Sequence, residues 1–309
     1  MRGVLIWFLA PAMGGLYLFT LAGMLAPYAP SFDLINHFRL HMLEASIGLL
    51  VLIAWARARI LTWLAAALIV LNGALAAPAF LNAASGEETG GASLKIVLAN
   101  IQGHGGRDAD IADFLAREDP DLVIMLEADP VAEPMLTSLG ERYPHRIGCI
   151  DNHHCRMVLL SKLELKEPRA AARTENGPPY IAAGMAAGGQ SFTFVGVHLA
   201  RPFDGPRNRQ DMDALTGLLK RMSGPLVVAG DFNATPWSWR LYRMQAASGL
   251  ERHRTLGATW PNIKPLFAQL LIDQVLVSPG ISVLDAYSGP GIGSDHLPSV
   301  TRIALPPGH

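Results

Sequence analysis

The sequence predicts an α/β domain, two packed sheets flanked by helices, placed behind a helical module that crosses a membrane. Three observations predict it. Val4 to Leu25 and Ile60 to Leu81 each run 22 residues without a charge, longer at about 1.5 Å per residue than the roughly 30 Å hydrocarbon core of a bilayer. Charges are displaced accordingly: four of the 25 basic and four of the 26 acidic residues precede Leu94, leaving 21 and 22 for the remainder. From Leu94 onward, short β-rich runs alternate with amphipathic helical stretches, the pattern of packed sheets with helices outside. Half of the 309 residues are apolar and 17% are charged, which excludes a disordered, collagen-like or coiled-coil chain.

Within the module, Leu40 to Ala56 is the weaker segment, because Glu44 and His41 leave a charge-free run of only 12 residues from Ala45. A re-entrant or interfacial helix is the alternative to a third span. The arginines favour three spans (about 4–25, 40–56 and 60–81): Arg2, Arg57 and Arg59 then lie inside and only Arg39 outside. Two spans would put Arg39, Arg57 and Arg59 outside together. Three spans carry the following domain out of the cytoplasm. Ala74-Leu75-Ala76 resembles a signal-peptidase site, so processing is the alternative to a permanent anchor. Residues 82–93 (NAASGEETGGAS) are small, polar and Gly-rich, as a tether is. The expected division is therefore a module at 1–83, a linker at 84–93 and a domain at 94–309.

Cys149 and Cys155 enclose five residues, a loop that a disulfide can close in an exported domain. Two free thiols are the second reading. His153 and His154 between them make a zinc site the third, against which four ligands crowd into seven residues without a C-x₂-C unit.

In the domain, strands are expected at Leu94–Ile101, Leu122–Leu126, Met157–Ser161, Tyr180–Ala183, Ser191–His198, Leu226–Ala229, Ile272–Ser278 and Ser299–Ile303. Helices are expected at Asp108–Arg117, where Ile111, Phe114 and Leu115 share a face, and at Asn208–Arg221 and Trp237–Ala247. Polar residues recur where apolar strands end. Asn100, Glu127 and His198 close strands, Asp231 and Asn233 follow LVVAG, Asp273 opens DQVLVS, and Asp295 and His296 precede the last strand. Singly, each reads as a turn former or a satisfied surface group. Together they are side chains aimed from rigid strand ends into one cleft.

Gly230-Asp231-Phe232-Asn233-Ala234-Thr235-Pro236 and Gly293-Ser294-Asp295-His296-Leu297-Pro298 carry more than position. With Asn100, Glu127, V-H-L around His198 and I-D-Q-V-L-V-S around Asp273, they resemble the endonuclease/exonuclease/phosphatase superfamily from about Leu94 to Leu305. The anchor and the segment Asp33 to Arg39 resemble its bacterial membrane-anchored branch. The resemblance implies a four-layer α/β/β/α sandwich and a metal-dependent hydrolase of phosphate esters. It implies Mg²⁺ or Mn²⁺ on hard oxygen ligands, with Asn100 and Glu127 as ligands and Asp295 joining or supporting them. His296 would pair with Asp273, as base or as electrostatic clamp. Asp231 is the other candidate base, while Asn233 and His198 would donate to phosphoryl oxygens. Gln102 stands where several of the nucleases carry a second acidic ligand, which bears against two metals. Gln274 replaces a frequent His or Tyr.

The substrate is open. Twenty-one basic against 22 acidic residues is not the basic face of a typical DNA-binding protein. Arg201, Arg207 and Arg209 after His198, and Arg240 and Arg243 after the Asp231 motif, are phosphate contacts or solvated faces. Trp237 and Trp239 pack on a base, a lipid or the core. The expected partners are the lipid bilayer and a phosphate ester, either a lipid-linked (pyro)phosphate or a nucleic acid; no protein partner is expected. The contrasting class is a non-catalytic binding module on the same fold, which the intact polar set argues against.

Overall fold

The computed structural model describes residues 2–81, 91–102, 107–252, 257–263 and 269–307. Most of the expected linker, residues 84–90, lies outside them. The chain divides into two compact units, Met1–Asn82 with Pro236–Arg240, and Ala83–Thr235 with Leu241–His309.

The first unit is helical: α1 (Arg2–Met24), a short α2 (Asp33–Asn36), α3 (Arg39–Trp55), α4 (Arg59–Ala76) and α5 (Pro78–Leu81). Val4–Met24 and Arg59–Phe80 are long and apolar enough to cross a membrane. The middle segment is bent by 56° between Pro30–Asn36 and Arg39–Trp55, and counts as a third span only if that pair is one. Leu9, Met13, Ile53, Ala65 and Leu68 pack together between α1, α3 and α4. A buried polar knot sits beside them. Asn72 exchanges hydrogen bonds with Thr20 at 3.2 Å, donates to Ser46 at 3.3 Å and accepts from Arg39 at 3.4 Å. Such groups are satisfied by one another because apolar surroundings offer nothing else.

Pro236–Arg240 belongs to this unit through Asp33. Its carboxylate accepts from Ser238 Oγ at 2.8 Å, from the Trp239 N–H at 2.6 Å and from the Arg240 N–H at 3.3 Å. Trp237 donates its indole N–H to the Ala76 carbonyl at 3.1 Å, with its ring 6.0 Å from that of Phe80. Of the three fates open to Trp237, packing within the apolar unit is the one observed.

The second unit holds two six-stranded sheets. One runs β11 (Ser282–Ser288), β12 (Ser299–Ala304), β1 (Ser93–Asn100), β2 (Leu122–Leu126), β4 (Met157–Ser161) and β3 (His145–Gly148). The other runs β5 (Lys166–Ala171), β6 (Tyr180–Ala187), β7 (Gln190–His198), β8 (Leu226–Asp231), β10 (Asp273–Val277) and β9 (Glu251–Arg252). Alternation along the strands builds three cores. Leu94, Ile96 and Leu98 point between the sheets, toward Phe194, Val227 and Val277. Val97 and Ala99 point the other way, onto α6 (Asp108–Glu118) and α7 (Glu133–Ser138). Val195, Val197 and Val228 face α8 (Gly205–Leu219) and α9 (Trp239–Ser248) through Met212, Leu215, Leu241 and Met244. The layers are therefore helix, sheet, sheet, helix, as the resemblance implies. Gly196 lets the sheets close: a Cβ there would lie 2.6 Å from Ile124 Cδ1.

Asp211 of α8 is fully buried. It accepts a hydrogen bond from the Ala200 N–H at 2.8 Å and pairs with the Arg173 guanidinium. Arg173 also donates to the His198 carbonyl at 2.8 Å. Asp211→Ala strands that guanidinium and is expected to cost about 3 kcal/mol, read as a lower urea midpoint at unchanged slope.

Candidate active site

Both sheets deliver polar side chains to one edge through their central strands. Asn100 ends β1 beside Leu126 of β2, whose next residue is Glu127. On the second sheet, His198 pairs in register with Asp231, and Asp231 with Asp273. Asp295 and His296 arrive on the segment leading into β12.

Asp231 Oδ2 is where they converge. It lies 3.4 Å from Asn100 Nδ2, 3.8 Å from His198 Nε2 and 3.9 Å from His296 Nε2. Asn100 Nδ2 also donates to Glu127 Oε1 at 3.0 Å, which lies 3.7 Å from His198 Nε2. His296 Nδ1 stands 2.8 Å from Asp273 Oδ2, and its Nε2 stands 4.0 Å from Asp295 Oδ1. Seven of the eight residues expected in the site are thus joined in one network. The eighth, Asn233, acts locally: its backbone N–H donates to Asp231 Oδ1 at 2.7 Å and its amide donates to the Leu199 carbonyl at 3.0 Å. One amide hydrogen is left for a substrate.

The backbone is bent to make this arrangement. Glu127 has φ of 55° and Asn233 of 48°, the left-handed region that asparagine tolerates and glutamate rarely enters. Gly230 is required by closeness: a Cβ there would sit 2.0 Å from the Val197 carbonyl oxygen.

Burial grades across the site. The side chains of Asp231 and Asp273 are 2% exposed and that of His296 6%, against about a fifth for Glu127 and His198 and 39% for Asp295. Burial, then the neighbouring Asp273, push the Asp231 carboxyl up to about 8. Burial opposes charging of His296, but the charge and hydrogen bond of Asp273, with Asp231 and Asp295, outweigh it and raise the imidazole to about 9. Burial lowers His198, reinforced by Arg173 and His296 and opposed by Glu127. One histidine is held charged and the other neutral.

Asp231, Asp273 and His296 bring possible ligand atoms within 4.8 Å of one another. The Asp273–His296 hydrogen bond accounts for two of these without a cation. The wider donor set fits a hard cation, since Glu127, Asp273 and Asp295 gather carboxylate oxygen beyond what one imidazolium balances, and Asp273 Oδ1 is buried without a hydrogen-bond partner among the described residues.

Two supporting residues carried no local signal in sequence. Trp260 donates its indole N–H to Asp295 Oδ2 at 2.9 Å, and a tryptophan in a loop reads as packing. Arg173 meets Asp211 across 38 residues. The two departures acquire roles. Gln102 lies against Asp295 and, with its amide nitrogen turned inward, donates to Oδ2 at 3.1 Å. Gln274 donates to the Ala234 and Leu271 carbonyls at 3.0 and 2.9 Å, bracing the Asp231 motif. Cys149 and Cys155 are joined in a disulfide, so the zinc alternative falls: its two thiolates are not available.

The endonuclease/exonuclease/phosphatase family matches residues 97–296. Among solved structures, D. rerio TDP2 complexed with a single-stranded DNA product is 16% identical, with a TM-score of 0.58 over 69% of this chain and 100% of that one. A functionally unknown conserved protein from Enterococcus faecalis V583 is equally similar, with the same identity, TM-score and coverage. An endonuclease/exonuclease/phosphatase from Bacteroides vulgatus is 16% identical, with a TM-score of 0.56 over 69% of this chain and 99% of that one. These likenesses concern the fold. No curated protein matches the chain.

Proposed function

The chain belongs to the endonuclease/exonuclease/phosphatase family, and from that premise we propose that it is a membrane-anchored hydrolase of a phosphodiester, phosphomonoester or pyrophosphate, dependent on Mg²⁺ or Mn²⁺, with its active site outside the cytoplasm. The observation that carries the chemistry is the convergence of Asn100, His198 and His296 on Asp231 Oδ2.

Glu127 and Asn100 would hold the metal, supported by Asp295. Asn100 turns its amide nitrogen toward Glu127, so lending its oxygen requires the amide reversed. When bound, the metal supplies a Lewis acid that neutralises phosphoryl charge. Asp231 orients the attacking water and, in its ionised form, takes its proton. It is fixed for this by the Asn233 N–H, which occupies Oδ1 and leaves Oδ2 toward the cleft. Asp273 fixes the orientation of the His296 ring and keeps it charged, so Nε2–H faces the cleft as a donor to developing phosphoryl charge. Neutral His198 donates to a second oxygen, and the remaining Asn233 hydrogen to a third.

Two apolar helices and a bent third support multi-pass anchoring in a bacterial inner membrane. Three spans put Arg2, Arg57 and Arg59 on the cytoplasmic side. The Cys149–Cys155 disulfide suits the oxidising side of that membrane. Processing near Ala76 is disfavoured by the use of that region, whose carbonyl at Ala76 accepts from Trp237.

The test uses the full chain in non-ionic detergent with Mg²⁺ or Mn²⁺, offered plasmid DNA and a lipid-linked pyrophosphate in parallel. Metal-dependent cleavage of one of them is expected to fall about 100-fold or more in His296→Ala. Cleavage that survives either chelation or this substitution overturns the assignment. Location is read separately: protease added to spheroplasts should digest the second unit, and protection would place it inside.

A further inference from the structure

The geometry points to a second phosphate subsite, a basic cavity beside the reaction centre that takes a neighbouring phosphate of the same substrate. This inference rests on the hydrolase reading above and names the class of substrate: one carrying a second phosphate next to the scissile one.

A cavity of about 550 Å³ opens from Glu127 and His198. Its walls are basic, with Arg156, Arg173, Arg201 and Arg207 against the carboxylates of Glu127 and Asp204. Three of these arginines are held in place by the protein. Arg173 is pinned by the buried Asp211 and by the His198 carbonyl. Arg207 Nε lies 3.8 Å from Asp211 Oδ1, and a terminal nitrogen donates to the Thr174 carbonyl at 2.7 Å. Arg156 donates to the Glu127 carbonyl at 3.3 Å and meets Asp129 at 3.4 Å. A guanidinium has five N–H donors, so each keeps some for a ligand while its orientation is already fixed. Arg201 makes no ion pair or side-chain hydrogen bond among the described residues.

The rim carries the same chemistry. His153 and His154, with ring centres 3.9 Å apart, are presented by the loop that the Cys149–Cys155 disulfide closes. No Phe, Tyr or Trp is among the described residues lining the cavity, so it offers no broad apolar slot for a lipid chain. Forked donors fixed around a cavity of this size suit phosphate oxygens. A substrate with its scissile phosphate between His198, Asp231 and His296 would direct its other phosphate here. A diphosphate ester and a nucleic-acid backbone share this feature, whereas a simple phosphomonoester lacks it.

The first measurement is binding without turnover: calorimetry of inorganic pyrophosphate with the full chain in non-ionic detergent and EDTA. Removing one charged hydrogen-bonding partner is expected to weaken binding about tenfold in Arg201→Ala and in Arg207→Ala. Arg201→Glu should weaken it further. Arg201 is exposed and unpaired among the described residues, so its two variants read binding rather than folding, and an unchanged melting temperature checks that. Pyrophosphate binding that is absent in the parent, or equal in all variants, overturns the subsite. With metal present, the preference for a prenyl diphosphate or a 5′-phosphorylated dinucleotide over a phosphomonoester, as a ratio of kcat/KM, should drop about tenfold in Arg201→Ala. Which of the two substrates shows the drop identifies the source of the second phosphate. Hydrolysis with an undiminished ratio removes the subsite and leaves the hydrolase. Arginine-dependent binding with no hydrolysis of any ester removes the hydrolase and leaves an anion site.

Discussion

Asp231→Asn is expected to lower turnover by about two to four orders of magnitude without unfolding the protein. Asparagine has the same shape, and its oxygen can still accept the 2.7 Å hydrogen bond from the Asn233 N–H. What it cannot do is take a proton from water. The amide nitrogen then stands at the Oδ2 position and gives up the long 3.4 Å hydrogen bond from Asn100, but a buried carboxylate is gone with it. Asp231 is buried, with Asp273 and His296 ligand atoms within 4.8 Å and Glu127 adding further negative charge nearby. Desolvation and like charge both disfavour its ionised form. Replacing it removes a penalty, so the metal-free protein should melt no lower than the parent and the loss should lie in kcat. Thermal melting in EDTA beside steady-state kinetics reads both. A variant that melts well below the parent would mean that the carboxylate is structural, and one that keeps its kcat would pass the base to His296.

Much of this site is legible in sequence because it obeys one rule: a polar residue where a buried apolar strand stops. Asn100, Glu127, His198, Asp231 and Asp273 all lie on central strands or directly after them, where hydrophobic runs such as LVIML and LVVAG are unmistakable. The strands that sequence reasoning misses are β3, β5, β11 and the two-residue β9. All four are sheet edges. β5, Lys-Glu-Pro-Arg-Ala-Ala, is exposed along nearly its whole length, and β3 alternates between half-buried and exposed. Edge strands bury little and carry charges that discourage further pairing, so their hydrophobic signal is weak by construction.

The supporting contacts are illegible for another reason. Asp33 meets Trp239 across 206 residues and Trp260 meets Asp295 across 35. A buried carboxylate needs partners, but nothing local says where in the chain they are. The GDFNATPWSW stretch illustrates both limits. Its Asp231 and Asn233 announce chemistry through the motif, while Ser238 to Arg240, a few residues on, are spoken for by a carboxylate in the apolar helical unit.

Glu127→Gly and Glu127→Ala should differ in the direction opposite to custom. Both delete the carboxylate, so both should abolish metal-dependent hydrolysis and lose the thermal stabilisation that saturating Mg²⁺ or Mn²⁺ gives the parent, about 2.7 kcal/mol at a hundred times Kd. Both also delete the acceptor for Asn100. What separates them is φ of 55° at this position. In most places alanine is the more stable of the two by about 0.5–1 kcal/mol, since glycine loses more freedom on folding. In the left-handed region a Cβ costs about 1–2 kcal/mol, and glycine pays none of it. The glycine variant is therefore expected to melt about 2–4 °C above the alanine variant in EDTA, the shift that about 1 kcal/mol produces in a domain of this size. Such a result would mean that strain is retained at Glu127 because the carboxylate must point into the cleft, at a cost the metal offsets. Equal melting temperatures, or the usual order, would remove strain from the account and leave Glu127 as an ordinary turn residue that happens to carry a ligand.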